Sequence, residues 1–134
     1  MPTESEVKIA RYNQVEKEAD ALGRLIGVRR LKPSEQTRLA GMTGDITGSE
    51  EVLDQEGNKV LIPHRMPLML TASVCMIDDV HIPFPRTRGE LDAMYDRLDV
   101  EGLAAVGRAS IRLVATDVVV DGEGGPVVGE AKNS

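Results

Sequence analysis

The sequence predicts a small single α+β domain with about four helices, one or two short antiparallel β-hairpins and a disordered C-terminal tail. The length of 134 residues suits one domain. Apolar residues recur at helical spacing in some segments, while shorter apolar runs are flanked by Asp, Gly and Asn, as in hairpins. We place the domain at residues 1–116, with a flexible arm at 1–13, and a Gly-rich flexible tail at 117–134.

The predicted core is aliphatic, because aromatic residues are scarce. The chain has Tyr12, Phe84 and Tyr95 and no Trp, so Leu, Val, Ile, Met and Ala must fill the interior. It also has six Met residues. Methionine suits irregular cores and adaptable binding surfaces, and core filling is the more common role at any one position.

The charge of the chain argues against a nucleic-acid partner. The net charge is −6, whereas phosphate binding requires clustered Lys and Arg. Short basic clusters at residues 29–32 and 86–88 are not interleaved with aromatic residues that could stack on bases. We interpret both clusters as solvated surface charge.

The chain shows no sign of secretion or membrane insertion. Its first residues are acidic, where a signal peptide would be basic and then apolar. The apolar stretch at 66–77 is too short and too interrupted to span a bilayer. Cys75 is the single cysteine, and its apolar neighbours predict a small buried hydrophobe. We expect a cytoplasmic protein with no membrane partner.

The first predicted hairpin pairs residues 14–19 with residues 24–31. Asp20 and Gly23 supply turn-forming residues between the two runs. A continuous helix over residues 4–22 is the alternative, because its charges would also suit a solvated helix face.

The middle of the chain predicts two helices separated by a polar stretch. One begins at residues 32–35, where Pro and Glu suit a first turn, and ends near Gly41 or Gly44. Residues 43–63 form a loop that carries at most a small hairpin with its turn at residues 57–58. A largely enclosed helix then runs from Pro67 to about Val74.

The last third predicts a hairpin and a pair of helices. Asp78 and Asp79 form the turn of a tight hairpin. Thr87 and Glu90 then form a capping box that opens a helix, which breaks at residues 99–100. A final helix covers residues 101–116, and nothing beyond residue 117 has a helical period.

Candidate metal sites are weak in this sequence. Asp78 and Asp79 could bind a cation, but two adjacent acids without a third ligand are more often a turn. His64 and His81 have no Cys or His at metal-ligand spacing, so we expect surface or edge positions for both. We predict no metal and no cofactor.

Candidate catalytic motifs are equally weak. The Gly-rich segment at 122–125 lacks the Lys-Ser/Thr of a phosphate-binding loop. Ser34, Ser73 and Ser110 have no glycine-elbow context. We predict no catalytic residues, and a protein that works by binding another protein.

The order of three motifs resembles the tail assembly chaperones of long-tailed bacteriophages and related prophage elements. The first is Asp-Ala-Leu-Gly-Arg-Leu-Ile-Gly-Val-Arg-Arg-Leu-Lys-Pro-Ser-Glu at residues 20–35. The second is Ala-Ser-Val-Cys-Met-Ile-Asp-Asp-Val-His-Ile-Pro-Phe-Pro-Arg-Thr at residues 72–87, with Asp-Asp where the family has Asp-Gly. The third is the closing helix pair at residues 91–106. The resemblance covers roughly residues 15–116.

The resemblance implies a non-enzymatic chaperone that binds the tape measure protein and assists polymerisation of the tail tube protein in the bacterial host cytoplasm. A client with exposed apolar helical faces suits an adaptable binding surface. We therefore predict Met66, Met69, Phe84 and Met94 as partner-binding residues, while a homo-oligomer stays open. A structural virion component, such as a head–tail connector or tail-completion protein, is the alternative, and an enzyme is a distant third.

Overall fold

The computed structural model describes residues 2–124, with side chains described through residue 116. The described part of the chain has four helices and two small antiparallel sheets, which confirms the predicted α+β fold class. In chain order the elements are α1 (Glu4–Asn13), β1 (Glu16–Ala19), β2 (Leu25–Val28), α2 (Pro33–Met42), β3 (Ser49–Leu53), β4 (Lys59–Pro63), α3 (Met66–Ala72), β5 (Val74–Ile77), β6 (Val80–His81) and α4 (Arg88–Gly124).

The predicted N-terminal arm contains a regular helix. Thr3 and Glu6 form a reciprocal capping box, in which each side chain accepts the backbone N–H of the other residue, at 3.1 and 2.7 Å. No residue of α1 is buried. The helix ends before Gln14, whose backbone is extended, so the alternative of one helix over residues 4–22 is wrong.

The first hairpin is confirmed, and a buried aspartate closes it. The Asp20 carboxylate accepts the backbone N–H groups of Leu22 and Arg24 at 3.0 and 2.8 Å. The Arg24 guanidinium donates to Asp20 at 2.7 Å and to the Leu98 carbonyl at 2.8 Å. These bonds join the turn to α4.

The hairpin becomes part of a four-stranded sheet with the order β1-β2-β5-β6. The predicted turn between β5 and β6 is also confirmed, with positive φ angles of 51° at Asp78 and 66° at Asp79. Aspartate tolerates this left-handed backbone better than most residues. The Asp78 carboxylate accepts the Leu25 N–H at 2.9 Å, which links the turn to β2.

The helix α4 is broken at Asp99, where the prediction placed the break. Asp99 has φ 56° and ψ −166°, outside the helical region, and its carboxylate accepts the Val100 N–H at 2.8 Å. The prediction that the last helix stops near Thr116 is wrong, because α4 continues to Gly124. Residues 125–134, the rest of the predicted tail, lie outside the described residues.

The predicted capping box before α4 is only half formed. The Thr87 hydroxyl accepts the Glu90 N–H at 3.1 Å, as expected. The Glu90 carboxylate accepts the N–H of Arg86 at 2.8 Å instead of the N–H of Thr87. Two hydrogen bonds therefore fix the start of α4, one to the Thr87 hydroxyl and one to the Glu90 carboxylate.

Buried apolar side chains of the described residues form two clusters. The first lies between the sheet and the part of α4 from Leu98 onward; its members are Ile26, Val28, Val74, Ile77, Leu98, Ala105, Val106, Ala109 and Leu113. The second lies between α2, α3 and the part of α4 before Asp99; its members are Leu39, Leu68, Ala72 and Leu91. Helix α4, with its break at Asp99, thus contributes buried residues to both clusters.

The polar stretch at 43–63 contains the small hairpin that the sequence allowed. Strands β3 and β4 pair with Val52 opposite Val60. The Asp54 carboxylate orders the turn by accepting the N–H groups of Glu56 and Asn58 at 3.0 and 2.8 Å. This hairpin forms a sheet of its own, separate from the four-stranded sheet.

Candidate partner-binding surface

An open groove of about 610 Å³ lies between the helices on one side of the molecule. Its lining comes from α1, the segment between β2 and α2, α2 itself, α3 and α4. The lining residues are Tyr12, Arg30, Leu31, Gln36, Leu39, Ala40, Thr43, Arg65, Met66, Met69, Leu70, Ser73 and Ser110. Polar and apolar residues both contribute, but most of the accessible surface of the lining is apolar. The groove therefore suits an apolar ligand surface more than a polar small molecule.

A buried ion pair holds the first wall of the groove, α2, against β2. Both guanidinium nitrogens of Arg29 donate to the Glu35 carboxylate, at 2.8 and 2.7 Å. The Lys32 N–H also donates to Glu35 at 2.8 Å. The bond from Arg29, with a smaller contribution from the Lys32 N–H, lowers the pKa of Glu35, although burial opposes this. Glu35 therefore stays ionised at neutral pH and fixes the start of α2.

Arg30 connects α1 to the body of the protein at the edge of the groove. Its guanidinium donates to the Arg11 carbonyl and the Gln14 side-chain oxygen, both at 3.1 Å. It also donates to the Leu113 carbonyl at 2.9 Å. Arg30 thereby brings Tyr12 of α1 to the groove lining.

The basic cluster at 29–32 is thus not the solvated surface charge that we predicted. Arg29 and Arg30 are half-buried and bond to groups on other elements. Arg88, in the other basic cluster, donates to Asp45 at 2.6 Å and Asp92 at 3.0 Å, while Arg86 is exposed. Sequence spacing could not show these partners, because Leu113 and Asp45 are distant along the chain.

Met66 and Met69, two of the four predicted partner-binding residues, lie together in the groove lining. Both belong to α3, three residues apart, and therefore lie on one side of the helix. Met69 is 38% exposed, and Met66 is half-buried. Leu68, between them in sequence, points the other way and is buried in the second cluster.

The structure does not bring Phe84 or Met94 to this groove. Phe84 is half-buried against the second cluster, with the Arg38 guanidinium 5.0 Å from its ring centroid. Met94 packs against the first cluster and lines a smaller cleft of about 190 Å³ that includes Ile82 and Pro83. The four residues therefore do not form one continuous surface.

Sequence reasoning found only Met66 and Met69 among the groove residues. Tyr12, Leu31 and Leu39 are the largest apolar or aromatic side chains that it missed outside α3. Tyr12 was missed because residues 1–13 were predicted to be a flexible arm. Leu31 and Leu39 had a detectable signal, since apolar residues flank and follow the predicted start of α2. Only the tertiary structure, in which α1, α2 and α3 border the same groove, shows that it includes all three.

The remaining titratable candidates occupy the positions expected of them. Cys75 is buried, and burial raises the pKa of its thiol, so the reactive thiolate is disfavoured. His64 and His81 are exposed, and a ring nitrogen of His64 lies 3.1 Å from the Thr47 carbonyl. Within the described residues, no three His, Cys, Asp or Glu side chains are grouped so that they could hold a metal ion.

Comparisons with known proteins do not assign the chain to a family. No family model matches it, and no curated protein or solved structure matches it either. None of the described helices combines the length and apolar character needed to cross a membrane. The fold and groove define an α+β protein with an apolar, methionine-containing surface groove.

Proposed function

We propose that this protein is a non-enzymatic phage tail assembly chaperone, which binds the tape measure protein in the bacterial host cytoplasm and assists polymerisation of the tail tube protein. The order of the sequence motifs at residues 20–35, 72–87 and 91–106 supports this function. The groove containing Met66 and Met69 is the structural observation that supports it most directly.

The groove suits an apolar helical face better than an extended polar peptide. Thioether side chains adapt their rotamers to different apolar surfaces, which benefits a chaperone that covers a long client. Arg30 and Arg65 also line the groove and add positive charge to a largely apolar surface. A client segment with apolar residues on one face and an acidic residue beside them would match both features.

The acidic balance of the chain supports the same role. A tape measure protein exposes apolar faces before the tube encloses it, and exposed apolar patches promote aggregation. Covering such a face with a protein of net charge −6 replaces apolar surface by a charged one. Repulsion between the resulting complexes then keeps them apart.

The function can be tested by co-expressing the protein with the tape measure protein of the same genome. We expect the wild-type protein to increase the soluble fraction of the client and to co-purify with it. Met69→Glu should abolish both effects, because it places a charge inside the apolar groove. Val80→Glu is the matched control, since Val80 is 62% exposed on β6 and is not part of the groove lining.

Equal client solubility with and without the protein would rule out the chaperone function. If Met69→Glu and Val80→Glu behaved alike, the groove would not be the binding surface. Purified virions distinguish the alternative: a structural connector is present in fixed copy number, whereas a chaperone is missing from the finished particle.

A further inference from the structure

The hairpin of β3 and β4 exposes apolar side chains, and neither of its outer edges pairs with another strand of the described residues. Leu53 and Leu61 are 68% and 67% exposed, and Val60 and Ile62 are also exposed. A two-stranded hairpin alone in water is marginally stable, and three or more strands are needed for independent stability. We propose that a second copy of this chain pairs with it, joining the two β4 strands in an antiparallel four-stranded sheet with a two-fold axis at Leu61.

The backbone hydrogen bonds determine which groups face each free edge. The Asp54 N–H donates to the Asn58 carbonyl at 2.9 Å, and the His64 N–H donates to the Gly48 carbonyl at 3.1 Å. In an antiparallel pair, residues alternate between hydrogen-bonded and non-hydrogen-bonded positions. The backbone N–H and carbonyl groups of the even-numbered residues of β4 therefore point toward β3. Leu61 consequently directs its backbone N–H and carbonyl toward the free edge of β4. By the same alternation, Glu51 directs its backbone N–H and carbonyl toward the free edge of β3.

The charges of the two edges select β4 for self-pairing. A two-fold pairing of β3 about Glu51 would place two glutamates directly opposite each other, which is destabilising. Pairing β4 about Leu61 places Leu61 opposite Leu61 of the second copy. It also places Val60 opposite Ile62 of that copy, and β-branched side chains of this kind pack well on a pleated strand surface.

The ends of β4 are compatible with this pairing. The register about Leu61 places Lys59 opposite Pro63 of the second copy, so the Lys59 N–H can donate to the Pro63 carbonyl. Pro63 lacks an N–H, so the reciprocal bond to the Lys59 carbonyl is missing, and each end of the paired region has one hydrogen bond instead of two. The edge contact is small, and small interfaces are typical of weak, concentration-dependent association.

Sedimentation velocity of the purified full chain over a concentration series tests the proposal. We expect the wild-type protein to shift from monomer to dimer as the concentration rises. Leu61→Lys should weaken the association about tenfold or more, because it places two lysines opposite each other at the two-fold axis. Leu53→Lys is the matched control: Leu53 is equally exposed and lies in β3, and the dimer should persist.

A backbone variant separates strand pairing from simple apolar contact. Leu61→Pro removes an N–H that faces the free edge without removing a bond of the hairpin, and it should also abolish the dimer. Leu53→Pro removes the corresponding N–H of β3 and should leave the dimer intact. Circular dichroism and thermal melts confirm that each variant is folded. A wild-type monomer at all concentrations, or equal effects at residues 53 and 61, would overturn the proposal.

Discussion

At the scale of single residues, the junction between β2 and α2 depends on one buried ion pair. Glu35 is buried, with a side chain 9% exposed, and the Arg29 guanidinium contacts both of its oxygens. Such a pair contributes little net stability relative to an apolar pair, but breaking it leaves an uncompensated buried charge. Its main consequence is to fix where α2 begins, and therefore where the groove wall lies.

Replacing Glu35 should make the protein less stable in a pH-dependent way. The pKa of Glu35 is lowered in the folded state, mainly by its bond to Arg29. The stabilisation is therefore present above the ordinary glutamate pKa of about 4.3 and is lost as the pH falls through the lowered value. Glu35→Gln should cost about 3 kcal/mol at pH 7, because it leaves the charge of half-buried Arg29 without its carboxylate partner.

Urea unfolding of the parent and the Glu35→Gln variant between pH 7 and pH 3 measures this effect. The difference between the two proteins should shrink as the solution becomes acidic. Glu50→Gln, on the exposed strand β3, is the control and should change stability little. A difference that stays constant with pH would show that the charge of Glu35 is not the cause.

At the scale of elements, the first two glycines of α4 after Asp99, Gly102 and Gly107, have different surroundings. A Cβ added at Gly102 would lie 2.9 Å from the Leu98 Cβ and 3.3 Å from an Arg24 guanidinium nitrogen. Gly107 has no atom within 4 Å of the same position. Gly102 thus allows the close approach of the chain on both sides of the break, whereas Gly107 has no comparable packing role among the described residues.

These glycines predict opposite effects of the same substitution. Gly107→Ala should stabilise the protein by about 1 kcal/mol, because alanine has the higher helix propensity. Gly102→Ala should destabilise it by about 1–3 kcal/mol, because fully buried Leu98 has no space to move. Chemical denaturation of the two variants in parallel provides the measurement. Equal changes in unfolding free energy would contradict the packing at the Asp99 break.

At the scale of the whole molecule, the buried residues of the described chain all lie between Asp20 and Leu113. Helix α1, before them, has no buried residue and is joined to the body by Arg30. After them, Thr116 contacts Gln14 through its hydroxyl at 3.4 Å. The stability of the fold therefore depends mainly on the buried residues between Asp20 and Leu113.

Truncation after Thr116 should leave the melting temperature unchanged, because both clusters stay complete. Truncation after Ser110 is the informative comparison, since it removes buried Leu113 and also Arg112. The Arg112 guanidinium donates to Glu16 and Glu18 at 2.9 and 2.7 Å and so links α4 to β1. Calorimetry should show a marked loss of stability for the shorter protein only. Early melting of the longer one would show that residues beyond 116 contribute to folding.

Local sequence signals predicted most of the elements. The turn residues Asp20 and Gly23 and the pair Asp78-Asp79 predicted both hairpins of the main sheet, because a turn is determined by a few neighbouring residues. Thr87 and Asp99 likewise predicted the start and the break of α4. Helix α1 was missed as a regular element, although its capping box is also a local signal.

The sequence by itself determined the α+β class, the order of most elements after α1 and an aliphatic core, because these depend on periodicity and on turn and cap residues. Only the tertiary structure decided the sheet order β1-β2-β5-β6, the partners of Arg29 and Arg30, and the meeting of α2 and α3 at the groove. It also separated Phe84 and Met94 from Met66 and Met69. The physical reason is that packing joins residues far apart in the chain, and their spacing in the sequence does not specify which surfaces meet.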